Sequence, residues 1–159
     1  MFKVFVSYST ADIKNVDDLK SQISDTGVDV YVADRSVQPG QNLPDEIKQA
    51  ITDCDVFILL WSPTAKTSGW VPQEIGIALG LGKQIIPLML EEGEPLTGFI
   101  TDIKYIKVYE DKHLAFEKAR EMVLDGVAKK RKEGEKQQQN EALFFIAIGG
   151  VLLWALTQS

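Results

Sequence analysis

Hydrophobic positions recur along the chain with two periods, and the two periods alternate. Residues 3–8 (KVFVSY) read as a strand, and residues 12–25 then place Ile13, Val16, Leu19 and Ile23 on one helical face. Gly27 stops that helix, and residues 28–33 (VDVYVA) predict a second strand. Residues 35–44 (RSVQPGQNLP), rich in Pro, Gly and Asn, predict a loop. Asp45 puts an acid at the next helix start, and Ile47, Ala50, Ile51 and Cys54 form that helix's apolar stripe. The nearly unbroken apolar run at 55–61 (DVFILLW) suits a central parallel strand covered on both faces. A polar loop at 62–69 leads into a helix over 70–81. Next come a strand at 84–90, where Pro87 points to an edge or a bulge, a short strand at 105–109, and a helix near 114–129. This order predicts an α/β fold, a parallel sheet with helices on both faces. Ligands of such sheets bind beyond the carboxyl ends of the strands, which here carry residues 7–12, 34–44 and 62–74.

Composition narrows the chemistry. A chain of 159 residues, 45% apolar and 25% charged, suits one folded core. Net charge is −6, yet residues 129–136 (KKRKEGEK) hold five positive and two negative charges, leaving the remainder near −9. That balance argues against nucleic acid as a partner of the domain body. Cys54 is the single cysteine, so no internal disulfide forms, and the lone His113 makes a dedicated metal site an unlikely design. Strand-like sequence begins at Phe2, so no N-terminal signal peptide is expected.

Three familiar constellations fail on spacing or context. Residues 76–83 (GIALGLGK) imitate a phosphate-binding loop, but the glycines stand one residue too far apart. Gln84 follows the lysine, and the stretch lies within a helix before a strand, the reverse of a P-loop's setting. Ser7-Tyr8-Ser9 supplies no acidic cluster for phosphoacceptor chemistry, and no nucleophile elbow accompanies His113. What remains is "SGWVPQEIGIALGLGKQ" at 68–84, where Trp70 and Glu74 lie one helical turn apart and share a face. Two explanations stand. Glu74 complements the helix dipole while Trp70 packs in the core, or the pair frames a pocket with one acid inside.

Four blocks occur in order: VFVSYSTAD at 4–12, PGQNLPDEIKQAI at 39–51, CDVFILLWSP at 54–63 and GWVPQEIGIA at 69–78. Together they resemble the TIR (Toll/interleukin-1 receptor) domain family, its microbial members above all, over residues 1–128. The resemblance implies a flavodoxin-like sheet of five parallel strands. It further implies that W-x-x-x-E, on Trp70 and Glu74, carries the catalytic glutamate of an NAD+ glycohydrolase or cyclase. NAD+ is then a substrate, and no cofactor is needed. By the same resemblance Ser7, Tyr8, Ser9 and Thr10 approach the substrate, while Asp34 and Arg35 open a loop that meets substrate and a neighbouring subunit. Ala33-Asp34-Arg35 departs from relatives that carry further acidic or aromatic residues after the second strand. The chemistry suits one carboxylate, because nicotinamide leaves as a neutral molecule and the ribosyl fragment gains oxocarbenium character that an anion stabilises.

No charged residue follows Glu141. Residues 142–156 (ALFFIAIGGVLLWAL) would rise roughly 22 Å as a helix, and roughly 27 Å if residues 157–159 are included, against a hydrocarbon core of about 30 Å. Trp154 suits an interface, and the preceding KKRK suits the cytoplasmic side. The expectation is a transmembrane tail anchor at 142–159 behind a polar linker at 129–141, with the TIR domain in the cytoplasm. An apolar helix packed in an oligomer, on a soluble cytoplasmic protein, is the alternative. The resulting expectation is a membrane-tethered NAD+-consuming enzyme of antiphage defence that self-associates through TIR–TIR contacts and signals to a downstream effector by its nucleotide product. Its rivals are a non-enzymatic TIR scaffold and an enzyme like the nucleoside deoxyribosyltransferases.

Overall fold

Runs rich in β-branched and aromatic residues build the sheet: β1 (Lys3–Ser7), β2 (Asp29–Val32), β3 (Val56–Trp61), β4 (Gln84–Met89) and β5 (Ile106–Lys107). They pair in parallel in the order β2-β1-β3-β4-β5. The computed structural model describes residues 1–24, 27–33 and 43–157, with side chains as far as residue 149. The helices are α1 (Ile13–Ile23), α2 (Asp45–Asp53), α3 (Pro63–Lys66), α4 (Val71–Gly80) and α5 (Lys112–Thr157). Strand order reverses between β1 and β3, so right-handed crossovers send α1 to one face and α2 and α4 to the other.

β3 shows how the core is divided. All six of its residues are buried, and alternation sends Phe57, Leu59 and Trp61 to the α2/α4 face and Val56, Ile58 and Leu60 to the opposite one. On the α2/α4 face Phe5 stacks between Tyr31 and Phe57, with ring centroids 5.5 and 5.3 Å away. Ile47, Ile51, Val71, Ile75 and Ala78 close over them. Each fully buried Phe or Leu contributes about 2 kcal/mol through area removed from water.

The elements differ from expectation in two places, α3 and the linker, while Pro87 meets its expectation of an edge. α3 lies inside the stretch expected as loop, because Ser62 caps it by accepting from the Ala65 N–H at 3.1 Å and Pro63 opens it. Pro87 is tolerated in β4, since β5 begins its pairing at Leu88 and leaves β4 an edge beyond that point. The expected linker at 129–141 is helical and lies within α5, as its Lys, Arg, Glu and Gln content favours. Arg131 bonds Glu135 one turn on, at 3.1 Å.

The anchor expected over residues 142–159 is not shown. Among the described residues no helix is long and apolar enough to cross a membrane. The apolar run is short of a span, and the turn before it carries Gln, Asn and Glu. The chain divides into two compact units, Met1–Leu124 and Asp125–Ser159.

Candidate active site

α4 opens where its free N–H groups find an acceptor. The Ser68 hydroxyl accepts from the N–H groups of Trp70 at 3.2 Å and Val71 at 3.4 Å, and Pro72 in the first turn has no N–H to satisfy. Trp70 holds the cap position, and its carbonyl accepts the Glu74 N–H at 3.0 Å. The helix buries Val71, Glu74, Ile75 and Ala78, an i, i+3, i+4, i+7 stripe. Glu74 therefore occupies a core position, with 0% of its surface exposed. An acid that served only the helix dipole would do so from solvent, so its burial needs a further account.

The partner that meets Glu74 comes from β1. Phe5 and Ser7 share one face of that strand, and Ser7 continues the Phe5 row to the strand's carboxyl end, where the Ser7 hydroxyl donates to Glu74 Oε2 at 2.5 Å. Ser7 is itself 0% exposed. The contact joins residues 67 apart in sequence, in the crevice region where the strand order reverses.

Around this pair the other hydroxyls have separate tasks. Tyr8 is buried, and its hydroxyl donates to the Ala33 carbonyl at 2.9 Å, tying the end of β1 to the end of β2. Ser9 is buried and its carbonyl accepts the Asp12 N–H at 2.8 Å, whereas Thr10 is exposed. The Ser62 hydroxyl donates to Asp12 Oδ2 at 2.6 Å, joining the loop after β1 to the loop after β3. Asp12, Ser62 and Ser68 escaped the sequence reading. Only the Ser-Pro pair at 62–63 carried a local signal, that of a helix start.

Ser7 and Glu74 thus meet, and Trp70 lies half-buried against the same core cluster one turn away. Asp34 and Arg35 lie outside the described residues. Among the described residues no three His, Cys, Asp or Glu side chains gather as a metal site. A cavity of about 300 Å³ beside α4 is lined by Trp61, Pro72, Ile75, Leu79, Phe99 and Ile100 among others, and its lining includes neither Glu74 nor Trp70.

A family model described as the TIR domain matches residues 4–123. The chain belongs to the TIR domain family. This TIR domain is 25% identical over 92 residues to a probable 2' cyclic ADP-D-ribose synthase of Brachypodium distachyon, a stretch covering 57% of this chain and 41% of the plant protein. The chain therefore spans less than half the length of that relative. Among solved structures, the TIR domain of a Toll-related receptor from Hydra magnipapillata superposes with a TM-score of 0.63 at 22% identity, covering 79% of this chain and 98% of that one. A CMP N-glycosidase of Clostridium botulinum gives a TM-score of 0.50 at 24% identity, covering 72% and 96% respectively. At these identities the structural likenesses speak for the fold.

Proposed function

We propose that this TIR domain cleaves the nicotinamide–ribose bond of NAD+, with Glu74 as the catalytic carboxylate. The observation that carries the reading is the burial of Glu74 in the apolar stripe of α4, bonded to Ser7 at the carboxyl end of β1. Burying a carboxylate is costly for a fold, and such a cost is ordinarily borne where charge is used. The name of the plant relative gives a cyclic ADP-ribose as its product, the kind of molecule that intramolecular attack in this chemistry would yield.

In the step itself the C1′–N1 bond breaks, and its electron pair leaves with nicotinamide as a neutral pyridine. The ribosyl carbon is left electron-poor, and the Glu74 carboxylate stabilises that developing cation from a fixed position of low dielectric. Water attack at C1′ yields ADP-ribose and a proton. Attack by a nucleophile of the same molecule yields a cyclic isomer. Trp70, half-buried one turn from Glu74, presents a ring that would exclude water and favour the folded substrate. Tyr8, Ser9, Thr10, Asp34 and Arg35 are the proposed substrate-facing residues, and association of TIR domains is the proposed setting of activity.

The test incubates the purified full chain at high protein concentration with NAD+ and resolves nicotinamide, ADP-ribose and cyclic isomers by chromatography. Nicotinamide release that disappears in Glu74→Gln supports the reading. No turnover supports a scaffold instead. Cleavage of deoxynucleosides with NAD+ left intact supports an enzyme of the deoxyribosyltransferase kind.

A further inference from the structure

We propose that Ser7 is a positioning residue that acts through Glu74 and does not itself bind substrate; the proposal rests on the NAD+-cleaving role of Glu74. Ser7 stands at a place where the β1 pattern Val4-Phe5-Val6 would continue with another apolar residue. Its hydroxyl is fully covered, and a buried hydroxyl without a partner costs the fold free energy. Its partner is Glu74 Oε2, to which it donates at 2.5 Å.

The mounting of Ser7 makes this contact rigid. β1 lies between β2 and β3, and Ser7 pairs with Leu59 of β3 in the parallel ladder. The backbone of Ser7 is thereby held in the ladder, and its hydroxyl fixes one oxygen of an acid carried by a different element. A glutamate has three rotatable side-chain bonds, and burial alone does not select one rotamer. Ser7 supplies that selection. Of the neighbouring hydroxyls, Tyr8 bonds the Ala33 carbonyl and Ser62 bonds Asp12.

The experiment has two arms on the full-length protein. The first measures steady-state NAD+ cleavage by wild type, Ser7→Ala, Ser7→Thr and Glu74→Gln. Ser7→Ala is expected to lower kcat about tenfold with KM held within about twofold, the signature of an interaction that counts in the transition state. Ser7→Thr, which restores the hydroxyl, should recover at least half of that loss on a logarithmic scale.

A rise in KM at constant kcat would make Ser7 a substrate contact and overturn the proposal, and so would an unchanged kcat. The second arm is a urea-unfolding double-mutant cycle of Ser7→Ala and Glu74→Met, which requires no activity. Ser7→Ala should change the folding equilibrium constant at least about fivefold less in the Glu74→Met background than in wild type. Additive effects would sink the proposal even if Ser7→Thr failed to fold. If Glu74→Gln turned over NAD+ like wild type while the cycle still showed coupling, the catalytic reading of Glu74 would fail and the pairing would stand.

Discussion

Replacing Glu74 by Gln separates chemistry from folding, because the proposed chemistry needs the charge while the folding contributions nearly cancel. When ionised, Glu74 bears a desolvation cost of several kcal/mol for sitting at 0% exposure among Val71, Ile75 and Ala78. The Ser7 hydrogen bond to the charged oxygen offsets about 1.5–3 kcal/mol of this. Gln keeps an oxygen for Ser7 to bond, now a neutral bond of about 1 kcal/mol, and it abolishes the charge. Its amide N–H₂ brings a new demand for acceptors, of about 1–3 kcal/mol.

These effects nearly cancel, so the variant should fold within about 2 kcal/mol of wild type, or within about 8 °C in Tm for a chain of this size. Turnover should fall by about 10²-fold or more, since under the proposed chemistry the missing charge is the one that stabilises the oxocarbenium ion. Thermal melting followed by fluorescence and chromatography of nicotinamide measure the two quantities on one preparation. A Tm loss well beyond 10 °C with cleavage within threefold of wild type would refute the reasoning and make Glu74 a structural acid.

Three further outcomes follow from other contacts. Trp70→Ala should shift the ratio of cyclic to linear product while costing under about 3 kcal/mol, because the ring is only half-buried; a large Tm loss at constant ratio would restore a purely packing role. Lys83→Met should lower stability in urea by about 1–2 kcal/mol, since Lys83 Nζ bonds the Thr52 carbonyl at 2.6 Å and the Cys54 carbonyl at 2.7 Å at the end of α2. Burial pushes the Cys54 thiol above its usual 9.0, so at pH 8 the native protein should react with a thiol reagent at least about tenfold more slowly than the urea-unfolded chain. The same shift sets a sign: the folded state holds this proton more tightly, so the contribution to stability is complete below pH 9 and is lost as pH rises beyond it. Melting across pH 8 to 11 in wild type and Cys54→Ala isolates it.

Much of the fold was legible because its strands are covered on both faces and its helices on one. The run at 55–61 has no place for solvent, and β3 is the fully buried strand it implied. The stripe Ile47, Ile51 placed α2, and Asp45 marks its first residue. What escaped depended on contacts distant in sequence. Loop-like polarity at 62–69 hid α3, because Ser62 was read for its polarity and not for the Ala65 N–H it caps. Lys, Glu and Gln at 129–141 read as a linker because polarity was weighed above helix propensity, and those residues stand in α5.

The site was legible in one dimension. Spacing put Trp70 and Glu74 on a common helical face, yet α4 carries Val71, Ile75, Ile77 and Leu79 around several of its sides, so periodicity did not say which side faced the sheet. Only the register of β1 against β3 brings the Ser7 hydroxyl to that side and makes the acid an interior group.

Interior placement also has a kinetic consequence. An acid with no exposed surface does not touch a ribose until something beside it moves, so under the proposed chemistry each turnover includes an uncovering step. The same cover that delays substrate keeps water from the carboxylate, and a dry carboxylate exerts a stronger field on a forming cation than a solvated one. Under the proposed chemistry, burial of Glu74 thus serves the rate of bond cleavage while taxing the rate of access.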